Sequence, residues 1–347
     1  LSVWRPPPDP QWHVTPRTFL AALAAGTLGL CLLPRALSPY HLIVLSYALV
    51  LAIACLGLNL LLGHTGLLSF GHAAFFGMGA YTGGFIYSFA ELRSLELYLL
   101  SGIGAAAAVA ALVGLLCVQS TRIHFTILTL AFAQVIHSLF IAGTVFRLAG
   151  GQGRGLFLLG GGGLYIPRFT IAGVPVEPED FQAALYYVIV AAFVLSALLM
   201  WWIVNTPFGK TLHAIRDNEV RAEFIGVRIR RYRWVAFLIS GVFAGLAGGL
   251  FGQLDRQVTP EQLHWVFSAK LVLATVLGGH RHLLGPAVGA VVFAEFQEFA
   301  LRFTQYHGLV LGALLIAVVL TFPGGLCGYA IAATGKVLAR TRRQRHV

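Results

Sequence analysis

The sequence predicts an all-α fold, a polytopic transmembrane helix bundle of about ten spans in one domain, with broken or re-entrant segments. Two observations carry this. Of the 347 residues 58% are hydrophobic and only 11% are charged, whereas a soluble domain carries about a quarter charged residues. The apolar residues are also gathered into runs, several of them near the roughly 20 residues that a bilayer core of about 30 Å requires. A soluble chain of this composition would expose apolar surface on an aggregating scale. Lipid is the natural solvent for most of it.

In chain order, residues 1–17 form a proline-rich N-terminal segment (Pro6, Pro7, Pro8, Pro10, Pro16) that resists helix formation. The first apolar run, Phe19–Leu33, is read as a retained span, because Pro34 and Arg35 follow it where a signal peptide would place a small-residue cleavage site. The remaining runs are His41–Leu62, Leu67–Phe89, Leu97–Val118, Phe125–Phe146, Ala183–Val204, Trp234–Leu254, Val266–Leu277, Pro286–Phe303 and Leu309–Phe322. Val266–Leu277 is too short to cross unaided, so it is expected to be extended at its ends or broken inside the bundle. The domain spans 18–330, and residues 331–347 form a basic tail.

Ten alternating crossings place the connections on two faces. Sixteen of the 24 lysines and arginines then fall on the face carrying both termini and seven on the other. The excess assigns the first face to the cytoplasm. It also accounts for the net charge of +11 without nucleic acid as a partner. Two long connections result: an outer Gly- and Pro-rich loop at 148–182 and a cytoplasmic loop at 205–233. The four cysteines, Cys31, Cys55, Cys117 and Cys327, are scattered in or beside apolar runs, with no CxxC pair to suggest zinc or a disulfide framework.

Glycine recurs at 63, 66, 71, 77 and 79, among Asn59, Thr65, Ser69, Phe70, His72 and Phe75. Glycine permits close helix packing, and it also permits a span to break and turn backbone groups toward a cavity. Path-lining or gating by Asn59, Thr65, Ser69, Phe70, Gly71, His72 and Phe75 therefore stands beside plain helix packing. Gly241/Gly245/Gly249, Gly285/Gly289 and Gly308/Gly312 repeat at four-residue spacing and read as packing faces, within the chain or against a partner.

In the cytoplasmic loop, Thr206-Pro207 starts a helix with Phe208, Leu212 and Ile215 on its apolar face. Asp217 is expected to cap a second short helix that stops at Gly226. Such a charged hairpin suits docking onto a soluble partner, or is simply a solvated loop. Gly209-Lys210-Thr211 lacks both the earlier glycine and the preceding strand of a phosphate-binding loop. No catalytic constellation or nucleotide site is found, so ATP, if used, binds another subunit. Lys270, Glu295 and Glu298 fall within spans, where each charge costs roughly 2.5–3.5 kcal/mol. Lys270 is expected to pair with one of the glutamates, or the three serve an ion-coupled secondary transporter or channel.

Five stretches together resemble the branched-chain amino-acid ABC transporter permeases, in the M-type of their two membrane subunits. They are Gly57–Gly63 running on through Thr65 to Phe75, Thr126–Gln134, Phe208–Gly226, Leu277–Gly279 with Gly285-Pro286, and Phe322–Leu326. The resemblance implies an importer membrane domain that pairs with a second, related permease chain and two cytoplasmic ATP-binding subunits, and receives solute from an extracytoplasmic binding protein. ATP and magnesium would be bound by those partner subunits and no cofactor by this chain. It further implies that Arg216, Asp217, Asn218, Glu219, Arg221, Ala222, Glu223 and Gly226 lie in the ATPase-coupling segment, and that Asn59–Phe75 borders the translocation path. The family usually carries a carboxylate where Lys270 stands.

Overall fold

The computed structural model describes residues 16–35, 37–90, 94–120, 122–142, 158–159, 163–171, 173–174, 177, 180–303, 305–321 and 324–329. The proline-rich segment before residue 16, the glycine runs at 151–155 and 160–162, Phe322, Pro323 and the basic tail lie outside the described residues.

The long helices are α1 (Pro16–Leu32), α2 (Pro39–Asn59), α3 (His72–Ala90), α4 (Leu95–Cys117), α5 (Arg122–Ile141), α6 (Phe181–Asn205), α9 (Ile229–Asp255), α10 (Trp265–Gly278), α11 (Gly285–Phe303) and α12 (His307–Thr321). Each of the ten apolar runs carries one of them. Among the described residues, five segments are by length and composition sufficient to cross a membrane alone: Pro39–Thr65, Leu95–Cys117, Ile123–Ile141, Phe181–Asn205 and Ile229–Asp255. The expected short span is α10, whose 14 residues reach only about 21 Å at 1.5 Å per residue. A 3₁₀ turn, Pro260–Leu263, precedes it under a capping box between Thr259 and Gln262.

Burial ranks the helices. The apolar stretches of Pro39–Thr65, which carries α2, and of α9 are 83% and 72% buried, against 28%, 22% and 39% for α4, α5 and α6. The first two are the core pair, and the other three turn broad apolar faces outward, as lipid or a second membrane chain requires. α2 packs against α6, α9, α10 and α11, while the other side of α9 meets α3 and α4. α1 is peripheral, held to α6 by stacking of Phe19 on Trp201 and by Tyr186 donating to the Leu30 carbonyl (2.7 Å).

Two of the three glycine repeats pack inside the chain. A Cβ on Gly241 or Gly245 would lie 2.5 or 2.4 Å from the Cβ of Ala110 or Ala106 on α4. One on Gly289 would lie 2.1 Å from the Ala274 carbonyl oxygen on α10. Gly308 and Gly312 meet nothing within 4 Å, so that face of α12 is open. Without a hydrophobic drive between helices in lipid, such close approach is what joins them.

One element departs from a purely helical reading. Leu158–Leu159, Gly163–Tyr165 and Gln257–Val258 form a small antiparallel sheet of three strands, β1–β2–β3, with Leu164 opposite both Leu158 and Val258. It seats Leu164, Ile166 and Val258 on Tyr81, Tyr98 and Phe140, closing one end of the bundle. Strands of two or three residues are too short to show a period in the sequence.

The contacts sort the connections onto two ends. The sheet, Ser94 bridged to Thr170, and Tyr40 bonded to Glu298 mark one end. The turns at 60–65, 207–226, 278–285 and 324–325 meet at the other, as the alternation of crossings requires.

The α3–α9 contact sets a clear expectation. A Cβ on Gly79 would lie 2.1 Å from the Gly245 carbonyl oxygen, so Gly79→Ala should destabilise the purified protein by about 1–3 kcal/mol. Gly104→Ala, with nothing within 4 Å, should leave thermal unfolding in detergent unchanged. Equal midpoints for both variants would contradict the packing.

Candidate functional site: the broken span and the helical hairpin beneath it

α2 does not end at Asn59 but widens into a π-turn, Leu60–Thr65, closed by Gly66 at φ 71°. The chain then runs without regular structure to α3 at His72. Within a bilayer every backbone donor and acceptor of such a break needs a partner inside the protein. Leu67 N–H returns to the Leu61 carbonyl (3.1 Å). Phe70 N–H donates to Thr129 Oγ1 (3.3 Å), Gly71 N–H to Ser69 Oγ (3.2 Å) and Ala73 N–H to Ser268 Oγ (2.7 Å). The Leu68 carbonyl accepts from Thr126 Oγ1 (2.9 Å), and that of Gly63 from the Arg216 guanidinium. Side chains of α5, α10 and the loop at 205–233 thus substitute for the missing helical ladder.

His72 organises the centre. Ser240 of α9 donates its hydroxyl to the Gly57 carbonyl (2.6 Å). Its oxygen then accepts from His72 Nε2–H (2.6 Å). Nδ1 consequently accepts from the Ser69 hydroxyl (3.2 Å). This neutral tautomer satisfies every group in the chain of bonds. Ser69, His72 and Ser240 are each 0% exposed, so the network locks α2, α3 and α9 together in a dry interior.

Of the residues expected at the path, Asn59, Thr65, Ser69, Gly71, His72 and Phe75 are buried within this chain and only Phe70 is half-buried. Thr65 bonds back to the Leu61 carbonyl (2.7 Å), and Phe75 packs edge-on against Phe237. Asn59 Oδ1 is buried with no hydrogen-bond partner among the described residues. These side chains lie inside the break; its half-buried surface is Leu62, Gly66, Leu68 and Phe70.

The hairpin below consists of α7 (Pro207–Asp217) and α8 (Glu219–Phe224). Leu212 and Ile215 are buried, and Phe208 stacks on Tyr232 (5.7 Å between ring centres). The cap of α8 is Asn218 rather than Asp217. Asp217 completes α7, whereas Asn218 is extended (φ −158°) and its Oδ1 accepts from Arg221 N–H (2.9 Å). Gly226, at φ 86°, follows the second helix.

The expected coupling residues divide into two groups. Arg216, Glu219 and Ala222 face the chain: Arg216 holds the Gly63 carbonyl, Glu219 pairs with Arg233 at the start of α9, and Ala222 is buried. Asp217, Asn218, Arg221, Glu223 and Gly226 face outward, joined by Val220, Phe224 and Ile225, which are 62%, 86% and 73% exposed. His213 lies against His64 of the π-turn (4.7 Å between ring centres). In the neighbouring turn, burial, with Arg216, Arg281 and His282 adding to it, pushes the His280 imidazole down to about 4. It is therefore neutral at physiological pH.

The expected ion pair of Lys270 with Glu295 or Glu298 does not form among the described residues. Glu298 is taken by the Tyr40 hydroxyl and lies 3.8 Å from Arg302, whose guanidinium sits over the Tyr40 ring; Glu295 is exposed. Arg302, one turn along the same helix, and Tyr40 of α2 occupy Glu298 in place of Lys270. Lys270 instead borders a cavity of about 390 Å³ with His137, Glu261 and His264. None of those three stands out in the sequence, since isolated polar residues near span ends are common. Ser240 and Ser268 were equally hidden, as ordinary helix serines.

The family model described as "Branched-chain amino acid transport system / permease component" matches residues 40–319. The high-affinity branched-chain amino acid transport system permease protein LivM of Escherichia coli strain K12 is 28% identical over 296 residues, covering 82% of this chain and 69% of that protein. LivM of Salmonella typhimurium strain LT2 matches at the same identity and coverage. The autoinducer 2 import system permease protein LsrC of Escherichia coli O9:H4 is 32% identical over 185 residues, 50% of this chain and 52% of that protein. No solved structure matches. The interrupted span, the hairpin docked beneath it and the family match over most of the helical core lead to one conclusion: the chain belongs to the branched-chain amino acid transport permease family and is a helical, polytopic membrane permease, a transport component rather than an enzyme.

Proposed function

We propose that the chain is one half of the translocation unit of an ATP-driven importer for branched-chain or related hydrophobic amino acids in the bacterial inner membrane, with both termini cytoplasmic. A second, related permease chain completes the path, an extracytoplasmic binding protein delivers the solute, and two cytoplasmic ATPases supply ATP and magnesium. The carrying observation is the hairpin. A charged segment that leaves Val220, Phe224 and Ile225 in water has the apolar core and polar rim of a docking patch. The same segment reaches the broken span through Arg216 and α9 through the Glu219–Arg233 pair.

Motion of the hairpin would pull on the Gly63 carbonyl and so on the break between α2 and α3, while Glu219 carries it to α9. Alternation of access then amounts to rocking of helix groups about a segment that is already uncoupled from the helical ladder. Asn59, Thr65, Ser69, Phe70, Gly71, His72 and Phe75 act in this scheme as the hinge bordering the path. A self-contained relay through Lys270, Glu295 and Glu298 finds no support in the pairing of Glu298 with Tyr40 and Arg302.

Two variants separate docking from transmission. Phe224→Asp, at a side chain 86% exposed, should leave folding intact and reduce copurification of the ATPase at least about tenfold, in line with the energy of one central apolar contact. Arg216→Met should retain the ATPase yet lower amino-acid uptake in reconstituted vesicles at least about tenfold. If the Phe224 variant binds its ATPase normally, the docking role fails; full uptake by the Arg216 variant removes it from transmission.

A further inference from the structure

The cavity beside Lys270 lies near the sheet-bearing end of the bundle, between α2, α5, α9 and the 3₁₀ turn leading into α10. At about 390 Å³ it falls within the range of roughly 300–1,000 Å³ usual for small-ligand sites. Its polar groups are arranged by hydrogen bonding elsewhere. Gln134 Nε2–H donates to His137 Nδ1, and Val266 N–H donates to His264 Nδ1, each at 3.4 Å. An accepting Nδ1 carries no proton, so each imidazole bears its hydrogen on Nε2. The two rings meet at 4.7 Å.

The cavity therefore combines two imidazole N–H donors with the Lys270 ammonium, which has no ion-pair partner among the described residues, and one carboxylate, Glu261. Gln262 adds one neutral polar side chain, and the rest of the wall is mostly apolar, from Tyr47, Phe251, Val266 and Phe267. A cluster of donors, one of them cationic, fits a carboxylate; a single acidic group fits an ammonium; the aromatic wall fits an aliphatic side chain.

We propose that this cavity is the chain's own contact site for the transported solute and that it takes a zwitterionic α-amino acid. Lys270, with the Nε2–H groups of His137 and His264, receives the carboxylate, and Glu261 receives the ammonium. The inference rests on the amino-acid import reading above and adds the residues that recognise the charges. The sign of Lys270 is then the means by which this permease holds the anionic end of its cargo, from a half-buried position at the cavity wall.

The test uses the full complex of both permeases, ATPases and binding protein in proteoliposomes, with leucine as the probe. Lys270→Met should lower leucine uptake at least about tenfold, while ATPase activity and subunit copurification stay within about twofold of the parent. Lys270→Arg should restore at least half of the uptake. Glu261→Gln, at an exposed position that folding tolerates, should independently reduce uptake at least about fivefold. If the parent complex moves leucine and Lys270→Met and Glu261→Gln do so equally well, the cavity is not the contact site and the import reading survives. If the parent complex shows no ATP-driven uptake of leucine, the import reading itself fails and the site assignment with it.

Discussion

A backbone group deprived of water and of a partner costs several kcal/mol in hydrocarbon, and that penalty governs the architecture around residues 60–73. The chain there leaves the helical ladder at the end of the bundle's most buried helix, on its way to α3. It can do so only because Thr126, Thr129, Ser268 and Arg216 deliver hydrogen bonds from three other elements. The break is therefore not a local property of a glycine-rich segment. It is a tertiary structure in which local bonds such as Leu67 N–H to the Leu61 carbonyl are completed by side chains from other elements.

Two kinds of packing surround it. Between α9 and its neighbours α3 and α4, glycine and alanine bring backbones together so closely that no added methyl fits; that interface behaves as a solid block. Between the break and the hairpin, contact is made through single polar side chains and a pair of imidazoles. Rigid and yielding seams thus alternate across a few ångströms. A machine that rocks helix groups requires that division, because a uniformly tight bundle transmits no relative motion and a uniformly loose one stores none.

Much of this was legible in the sequence. Charge depletion and run length located every long helix, since both follow from the same solvent constraint. Thr206-Pro207 and the spacing of Leu212 and Ile215 placed the first hairpin helix, because a helix start and an apolar stripe are local signals. The second cap slipped by one residue, to Asn218, since Asp and Asn are equivalent cappers and the choice depends on where the preceding helix happens to stop. What escaped was long-range. Whether Gly241 packs inside the chain, whether Lys270 pairs with a glutamate, and which serine receives His72 are questions of which helices adjoin, and no periodicity encodes adjacency. The strands near residues 158–165 and 257–258 escaped for the opposite reason: they are too short to have a period at all.

The aromatic and aliphatic tip of the hairpin also bears on the life of the protein before it is assembled. Val220, Phe224 and Ile225 stand in water beside five charged residues of the same turn, so a newly inserted chain advertises a sticky spot at the membrane surface until something covers it. Quality-control proteases and chaperones recognise that kind of feature. On the proposed docking, the abundance of this subunit would follow the supply of the protein that caps the tip, and overproducing it alone would fill the membrane with a substrate for degradation.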